Sequence, residues 1–464
     1  MLRRIIAAEP AALPHDEQSA GMRRDGKEMA PPAACADLDA GFQPATASGK
    51  NLLRIAYLVQ QFPPEIGAGP ARAGEMGIAW RDAGAELSVL TAVPNRPAGV
   101  IQPAYRGRFL IREDWNGIAV TRSWLYTSRK HGFARTIANN LSFMCTASIA
   151  ALLERRRPDV LIASSPPFFV HLSGWAIAHR WRVPLVLELR DLWPDYLVDM
   201  GLLQNAALRR SVFRLERFLL DSAAAVVVVT KSFRERVIEK GVPPERVHVI
   251  PNGVDLTQYY HVQSGTARAD RDPRRFTVGY LGNMGASQQL QFVVEAARRV
   301  AATNPDIRFI LAGDGTERAK VERAVFEARL DNLRLLPAIA KSETRDFYGC
   351  CDACLVPLAP FPTFRNTIPS KLFEVMACER PVVASVAGEA AEIVASSGAG
   401  LVAAPGDPAS LAEAILRLSR MTVDERRGMG QRGRRYVSEH FERQQLSARY
   451  LALLHTLVYP PRSE

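Results

Sequence analysis

The run Ala223-Ala224-Ala225-Val226-Val227-Val228-Val229 constrains this chain more than any other segment. Seven apolar residues in succession leave no polar face for water, so a strand here must be covered on both sides, as in a parallel sheet between helical layers. The run is also far short of the roughly 20 residues that cross a bilayer. Comparable strand signals occur at 53–59, 87–91, 160–163, 185–189, 225–229 and 247–250, with helical signals between them. Alternation of this kind builds a parallel sheet wrapped in helices. Across 257–275 the apolar period stops and polar residues take over. A second series then follows, with strands at 276–281, 307–312, 333–335, 353–357 and 381–384 and helices starting near Ser287, Gly315, Ser342 and Pro369. Helices at 408–418, 424–441 and 445–457 finish the chain.

A chain of 464 residues, 47% of them hydrophobic, exceeds one ordinary core and has material for two. The expected fold is α/β, with two Rossmann-like doubly wound domains. Residues 1–50, rich in Ala, Pro, Asp and Gly, read as a disordered extension. Residues 51–256 form the first domain, 257–275 the linker, 276–440 the second domain, and 441–464 a C-terminal helix returning to the first. Sites on such sheets form at the carboxyl ends of the strands, where loops and helix N-termini offer amides to anions, and the cleft between two sheets is the expected binding place.

The net charge of +11 predicts attraction to something anionic. Between Val100 and Arg182 twelve basic residues stand against four acids, a net +8, and they flank the apolar helical stretch 137–153. Two readings stay open: a surface lying against an anionic membrane, or a solvated basic face around a buried helix. No apolar run is long enough to span a bilayer. Met1 to Ile6 carries two arginines, but Glu9 and Pro10 follow before a leader-length apolar core develops, so the expected location is cytoplasmic, with peripheral attachment to the inner face of the membrane as an option. Six cysteines without regular spacing suit a reducing compartment. Cys351 and Cys354 have the spacing of a zinc or redox pair but lack a second pair, and read as structural thiols. The Asp37/Asp39 and Asp270/Asp272 pairs fall in the tail and linker, so neither metal nor other cofactor is expected.

The most informative segment runs from Arg365 through Asn366, Pro369, Ser370, Lys371, Leu372 and Glu374 to Val383. Pro369 suits a helix start, and Ser370 and Lys371 would stand beside its exposed amides. A phosphate suits that place: Arg365 and Lys371 would neutralise a diphosphate, and Glu374, one turn on, would accept both hydroxyls of a ribose. Pro-Ser-Lys and Glu alone read equally as an amphipathic helix with a charged solvent face.

With these residues the chain resembles glycosyltransferase family 4, retaining enzymes of GT-B architecture, over about Leu53 to the C-terminus. Within that family it is most similar to bacterial polysaccharide and O-antigen enzymes assigned as N-acetylfucosamine transferases. The likeness also rests on Gln61–Gly69, Arg190-Asp191-Leu192-Trp193-Pro194-Asp195, Val249–Asp255, Gly279-Tyr280-Leu281-Gly282-Asn283, Ala312-Gly313-Asp314-Gly315 and Gly388-Glu389-Ala390-Ala391-Glu392. The order and spacing of these strings are specific; no single one is.

The resemblance implies two domains facing a central cleft and a nucleotide-sugar donor, UDP-linked, held mainly by the second domain. It implies a lipid-linked glycan acceptor and no nucleic acid partner. It places Gly67 and Gly69 at the donor diphosphate, where a side chain would block the backbone, and Glu374 at the nucleotide ribose. Two departures stand out. The family's first paired glutamate is here Asn366, and its basic pair after the first strand of the second domain maps onto Asn283 and Gln289. Arg365 and Lys371 are then the candidates for the diphosphate charge, with Asn283, Ser370 and Leu372 beside them. The usual first-domain histidine maps onto Ser164, and His171 reads as structural. Arg190 and Asp191, after the strand 185–189, are the catalytic candidates, with capping of the next turn as the alternative role of Asp191. Competing functions are a sugar-nucleotide epimerase sharing the donor pocket, and a non-catalytic basic scaffold binding membrane or nucleic acid.

Overall fold

The computed structural model describes residues 52–460 apart from 66, 96–98, 130–131, 155, 200 and 261–274. The expected N-terminal extension, most of the expected linker, both Asp-x-Asp pairs, and Lys130 and Arg155 of the basic stretch lie outside the described residues. The first sheet contains β1 (Arg54–Val59), β2 (Glu86–Ala92), β3 (Leu110–Trp115), β4 (Ile118–Ser123), β5 (Val160–Ser165), β6 (Leu185–Leu189), β7 (Ala225–Val228) and β8 (Val247–Val249). Its helices are α1 (Ala68–Asp82), α2 (Phe133–Leu152), α3 (Phe169–Trp181), α4 (Trp193–Asp199), α5 (Ala206–Ser222) and α6 (Lys231–Glu239). The spatial order is β3-β4-β2-β1-β5-β6-β7-β8, parallel except for the β3–β4 pair. Every residue of β5, β6 and β7 is buried, the apolar ones as strands covered on both faces require and Ser164, Ser165 and Glu188 through hydrogen bonds within the sheet.

The second sheet contains β9 (Phe276–Leu281), β10 (Ile307–Ala312), β11 (Leu333–Leu336), β12 (Ala353–Pro357), β13 (Val382–Ser385) and β14 (Gly400–Ala403), in the order β11-β10-β9-β12-β13-β14 and parallel throughout. Its helices are α7 (Gln291–Thr303), α8 (Arg318–Ala328), α9 (Thr344–Gly349), α10 (Ser370–Ala377), α11 (Glu389–Ser397), α12 (Pro408–Ser419) and α13 (Val423–His440). The strand order reverses between β1 and β5 in one sheet and between β9 and β12 in the other, and these switch points open the crevices where ligands of such sheets bind. The last helix, α14 (Arg443–Val458), lies against α1 of the first domain: Trp80 Nε1 donates to the Ser447 carbonyl at 3.0 Å and its ring meets Tyr450 edge-on at 5.2 Å. α1 and α14 thus cover one face of the first sheet, and α2, α3, α5 and α6 cover the other.

Three features differ from the sequence expectation. The hairpin β3–β4 was not expected, because Arg112, Glu113 and Asp114 hide its alternation; its turn is made by Asn116 and Gly117, both in the left-handed region at φ 51 and 76, the geometry a two-residue hairpin loop needs. The short edge strand β14 was also missed. Helices expected near Ser287 and Gly315 begin at Gln291 and Arg318, because turns come first: the amides of Gln288 and Gln289 bond the Gly285 carbonyl, and the Glu317 amide bonds the Met284 carbonyl.

A buried ion pair fixes the first domain. Arg72 on α1 meets Glu188 on β6 at 2.8 Å, and both side chains are sealed from solvent. Glu188 also accepts from Tyr57 of β1 at 2.8 Å and Ser164 of β5 at 2.6 Å, while Arg72 donates to the carbonyls of Ile250 and Pro251. Burial alone would raise the Glu188 pKa, but the charges of Arg72 and Arg190 and these hydrogen bonds outweigh it and hold the carboxylate below its ordinary 4.5. Its stabilising contribution is therefore present above pH 4.5 and is lost as pH falls through the lower folded value. Arg72→Met should lower the unfolding free energy by about 3–5 kcal/mol, because it strands a buried carboxylate; urea denaturation at pH 7.5 measures this, and a loss within 1 kcal/mol, on the order of a surface substitution, would contradict it.

Candidate active site

The crevice of the second domain is built at the β9/β12 switch point. β9 ends in Leu281 and runs into Gly282, whose φ of 141 a side chain would strain. β12 leads through a short turn, Pro362–Asn366, to α10, which starts after Pro369 with no side-chain cap. Leu372, Phe373, Val375, Met376 and Ala377 sink into the core, which leaves Ser370, Lys371 and Glu374 on the half-buried face of the helix.

Lys371 is the most unusual group there. Its Nζ is shielded from water, has no hydrogen-bond partner, and lies 4.0 Å from the centre of the Tyr280 ring. It rests so closely on Gly282 that a Cβ there would stand 2.8 Å from the ammonium. Burial pushes its pKa down to about 7, against the pull of Glu374. A buried cation without an anion is costly, and an anionic ligand would relieve the cost. Glu374 stands one turn further along and accepts from the Tyr348 hydroxyl at 3.2 Å. Burial raises its pKa, opposed by that hydrogen bond, by Lys371 and Lys341, and by Tyr259. The pair offers a cation for phosphate and a carboxylate for vicinal hydroxyls on one helical face.

The first domain contributes its own switch point. β1 leads into the loop ending at Gly67, which has φ 149 and precedes α1, and Gly69 lies in the first turn. The Arg190 guanidinium packs on Gly69, where a Cβ would come within 2.8 Å of it, and Arg190 Nε donates to the Ser165 carbonyl at 2.9 Å. The next residue, Asp191, keeps part of its surface exposed while Oδ1 is sealed and unpartnered beside Ser165, Phe168, His171 and Trp193. Burial drives its pKa up to about 6 in spite of Arg190. Ser164 and His171 serve the scaffold: Ser164 bonds Glu188, and His171 Nε2 lies 3.3 Å from the Glu188 carbonyl, with burial pushing its pKa down to about 4.

The remaining candidates separate. Ser370 begins α10 beside Lys371. Leu372 is spent on the fold, its side chain in the core and its amide bonded to the Pro369 carbonyl at 2.9 Å. Asn283 is exposed, and its amide reaches Gln288 at 3.2 Å. Arg365 is also exposed, with its carbonyl against Gly388. Among the described residues no group of three or more His, Cys, Asp or Glu is arranged to hold a metal ion, and Cys351 and Cys354 are buried thiols. Sequence reasoning missed the contacts that span the cleft. Lys341 of the second domain meets Glu75 of α1 at 2.6 Å, Glu389 accepts from the Ser232 amide at 3.2 Å, and Thr363 bonds Asp199. No local pattern announces such pairs.

Asp191 allows a test by titration. Its carboxyl ionises at about 6 in the folded chain and ordinarily at 3.8, so the charged form costs stability above pH 6 and nothing below 3.8. Asp191→Asn removes that cost. The variant should melt above the parent at pH 7.5, with the gap closing toward pH 4; a gap independent of pH would contradict the burial of this carboxylate.

Comparison with known proteins agrees with the two-domain fold. Residues 67–253 match the family described as Glycosyl transferase 4-like domain, and residues 275–421 match Glycosyl transferases group 1. The chain is 26% identical over 295 residues to the putative colanic acid biosynthesis glycosyl transferase WcaI of Escherichia coli K12, covering 61% of this chain and 72% of that one. It is 26% identical over 278 residues to the probable glycosyltransferase WbjE of Pseudomonas aeruginosa, covering 58% and 68%. Among solved structures, sucrose-phosphate synthase from Thermosynechococcus elongatus superposes with a TM-score of 0.70 at 20% identity, over 87% of this chain and 99% of that one. Anabaena HepE in complex with UDP-glucose superposes with a TM-score of 0.64 at 19% identity, over 87% and 100%. The two facing α/β domains are the GT-B fold. With both domains matched over most of its length, the chain belongs to the family 4 glycosyltransferases.

Proposed function

We propose that this glycosyltransferase moves an N-acetylated deoxyhexose from a UDP-linked donor to a lipid-linked glycan during cell-surface polysaccharide synthesis, with retention at the anomeric carbon. The observation that carries the donor reading is the unpaired Lys371 ammonium, packed on Gly282 one turn from Glu374. Lys371 meets the diphosphate, the first-turn amides of α10 lie beside it, and Glu374 takes the ribose hydroxyls. Relatives named for colanic acid biosynthesis and a neighbour solved with UDP-glucose support the class of donor and product. Asn366 supports the acetamido sugar, since an amide in place of a carboxylate can donate to an acetyl carbonyl.

In the transfer the acceptor oxygen bonds to the anomeric carbon as the bond from that carbon to the diphosphate breaks, and the acceptor proton passes to an oxygen of the departing diphosphate. Negative charge grows on the departing diphosphate, where Lys371 stabilises it. Asp191, ionised above pH 6 and held beside Arg190, orients the acceptor or sugar. Its loss should reduce turnover far more than donor affinity, as for a group used mainly in the transition state.

The acceptor's lipid supports a docking role for α2. This helix exposes Leu141, Ile149 and Leu152, with Leu153 just beyond, near the exposed Arg135, Arg156 and Arg157. No helix among the described residues is long and apolar enough to cross a membrane, so an anionic surface would hold this face from one side.

Three measurements test these assignments. Lys371→Ala should weaken UDP binding at least about tenfold, or ~1.4 kcal/mol. Because a diphosphate raises a depressed amine pKa, UDP binding should take up protons at pH 8 in the parent and not in this variant; unchanged affinity and uptake would remove Lys371 from the site. Asp191→Asn should keep UDP affinity while losing transfer, and equal transfer rates would exclude its role. Leu152→Glu should reduce sedimentation with phosphatidylglycerol vesicles but leave UDP binding intact, and undiminished sedimentation would exclude α2 as the docking face.

A further inference from the structure

Glu75 lies on α1, two turns beyond the glycines at the helix start, and its carboxylate is shared by two cations from elsewhere in the chain. Arg443, at the first residue of α14, holds one oxygen. Arg443 also donates to the Gly253 carbonyl, where the chain passes between the domains and Val254 pairs with Glu442. The other oxygen takes Lys341 of the second domain at 2.6 Å. Glu75 is thus anchored beside the crossing of the two connecting segments and reaches over the cleft. Lys341 precedes α9, the helix that carries Tyr348 to Glu374, and its charge acts on the Glu374 carboxylate.

We propose that Lys341 is a positioning residue for the nucleoside half of the donor, its ammonium bonded to Glu75 of the facing domain at the head of the helix that holds Tyr348 against Glu374, so that cleft closure and nucleoside binding become one event. This inference rests on the reading of Glu374 as the ribose acceptor. A carboxylate accepts two hydroxyls well only when ionised, and Glu374 is held by burial toward its neutral form. The titratable groups facing it are the hydroxyls of Tyr348 and Tyr259, the ammoniums of Lys371 and Lys341, and the Cys378 thiol. Of these, Lys341 alone is bonded to the other domain. Opening the cleft would free Lys341 from Glu75 and release its position beside Glu374. Closing the cleft restores the bond to Glu75 and, with it, that position. Lys341 is partly exposed, with 45% of its side chain accessible, so its replacement should alter binding rather than folding, whereas replacing Glu75 also takes the anion from the largely buried Arg443 and should lower stability as well.

The test is UDP affinity between pH 5 and 8 for Lys341→Met, Lys341→Arg, Glu75→Gln, the Lys341→Met/Glu75→Gln double variant and Glu374→Gln, each with its melting temperature. Lys341→Met should melt like the parent, weaken UDP binding about three- to tenfold near pH 6, and move the acidic limb of the affinity profile to higher pH, because Glu374 has lost a favourable charge. Lys341→Arg should restore most of the affinity. Glu75→Gln should weaken UDP binding although it does not touch Glu374, and the double variant should be no weaker than the weaker single one, as for residues acting through one contact. An unchanged acidic limb in Lys341→Met, or additive losses in the double variant, overturns the coupling. Glu374→Gln keeps the two readings apart: full UDP affinity in that variant overturns the ribose assignment itself, while a loss there with none in Lys341→Met overturns only the role of Lys341.

Discussion

One buried carboxylate, Glu188, holds the first half of the active site in place. Through Arg72, Tyr57 and Ser164 it ties α1, β1 and β5 to its own strand β6, and Arg72 extends the network to the carbonyls of Ile250 and Pro251, where the chain leaves the domain. The two segments that reach the cleft from this domain begin within a few residues of the pair. Gly67 and Gly69 precede Arg72 on α1, and Arg190 and Asp191 follow Glu188 on β6. Desolvating two charges is expensive, and only the full set of partners offsets it. The return is that the cleft-facing loops inherit the rigidity of the core.

The cleft itself follows the opposite rule. Where the Arg72–Glu188 network satisfies its buried charges, the cleft leaves Lys371 Nζ and Asp191 Oδ1 without hydrogen-bond partners, as are a few scaffold atoms such as Tyr450 Oη and Asn332 Oδ1. Each is tuned by burial toward neutrality, the lysine down to about 7 and the aspartate up to about 6. Groups so poised change charge readily when an anion or a hydroxyl arrives, which is what binding a diphosphate and orienting an acceptor require. The glycines at 69 and 282 serve the same end, because their bare backbone lets Arg190 and Lys371 lie flat against the chain.

Much of the fold was legible because burial on both faces leaves an apolar run in the sequence, uninterrupted in β7 and broken only by Glu188 in β6 and by the closing serines in β5. The β3–β4 hairpin escaped notice because its strands carry charge, although Asn116-Gly117 was a readable turn signal. Around the site, the helix start at Pro369 and the roles open to Lys371 and Glu374 could be read from residue type and helical spacing. Leu372 could not be placed the same way: its burial and its bonded amide depend on which face of α10 meets the core.

By itself the sequence determined the two α/β series, their strand-forming runs and the Pro-Ser-Lys-to-Glu helix, since periodicity and capping act over a few residues. Only the tertiary structure decided that Arg72 would meet Glu188 across 116 positions and Lys341 would meet Glu75 across 266. It also decided that Lys371 would be stranded over Tyr280 without an anion. Such pairings and pKa shifts depend on how far each charge is withdrawn from water and what stands beside it, and packing between distant elements sets both.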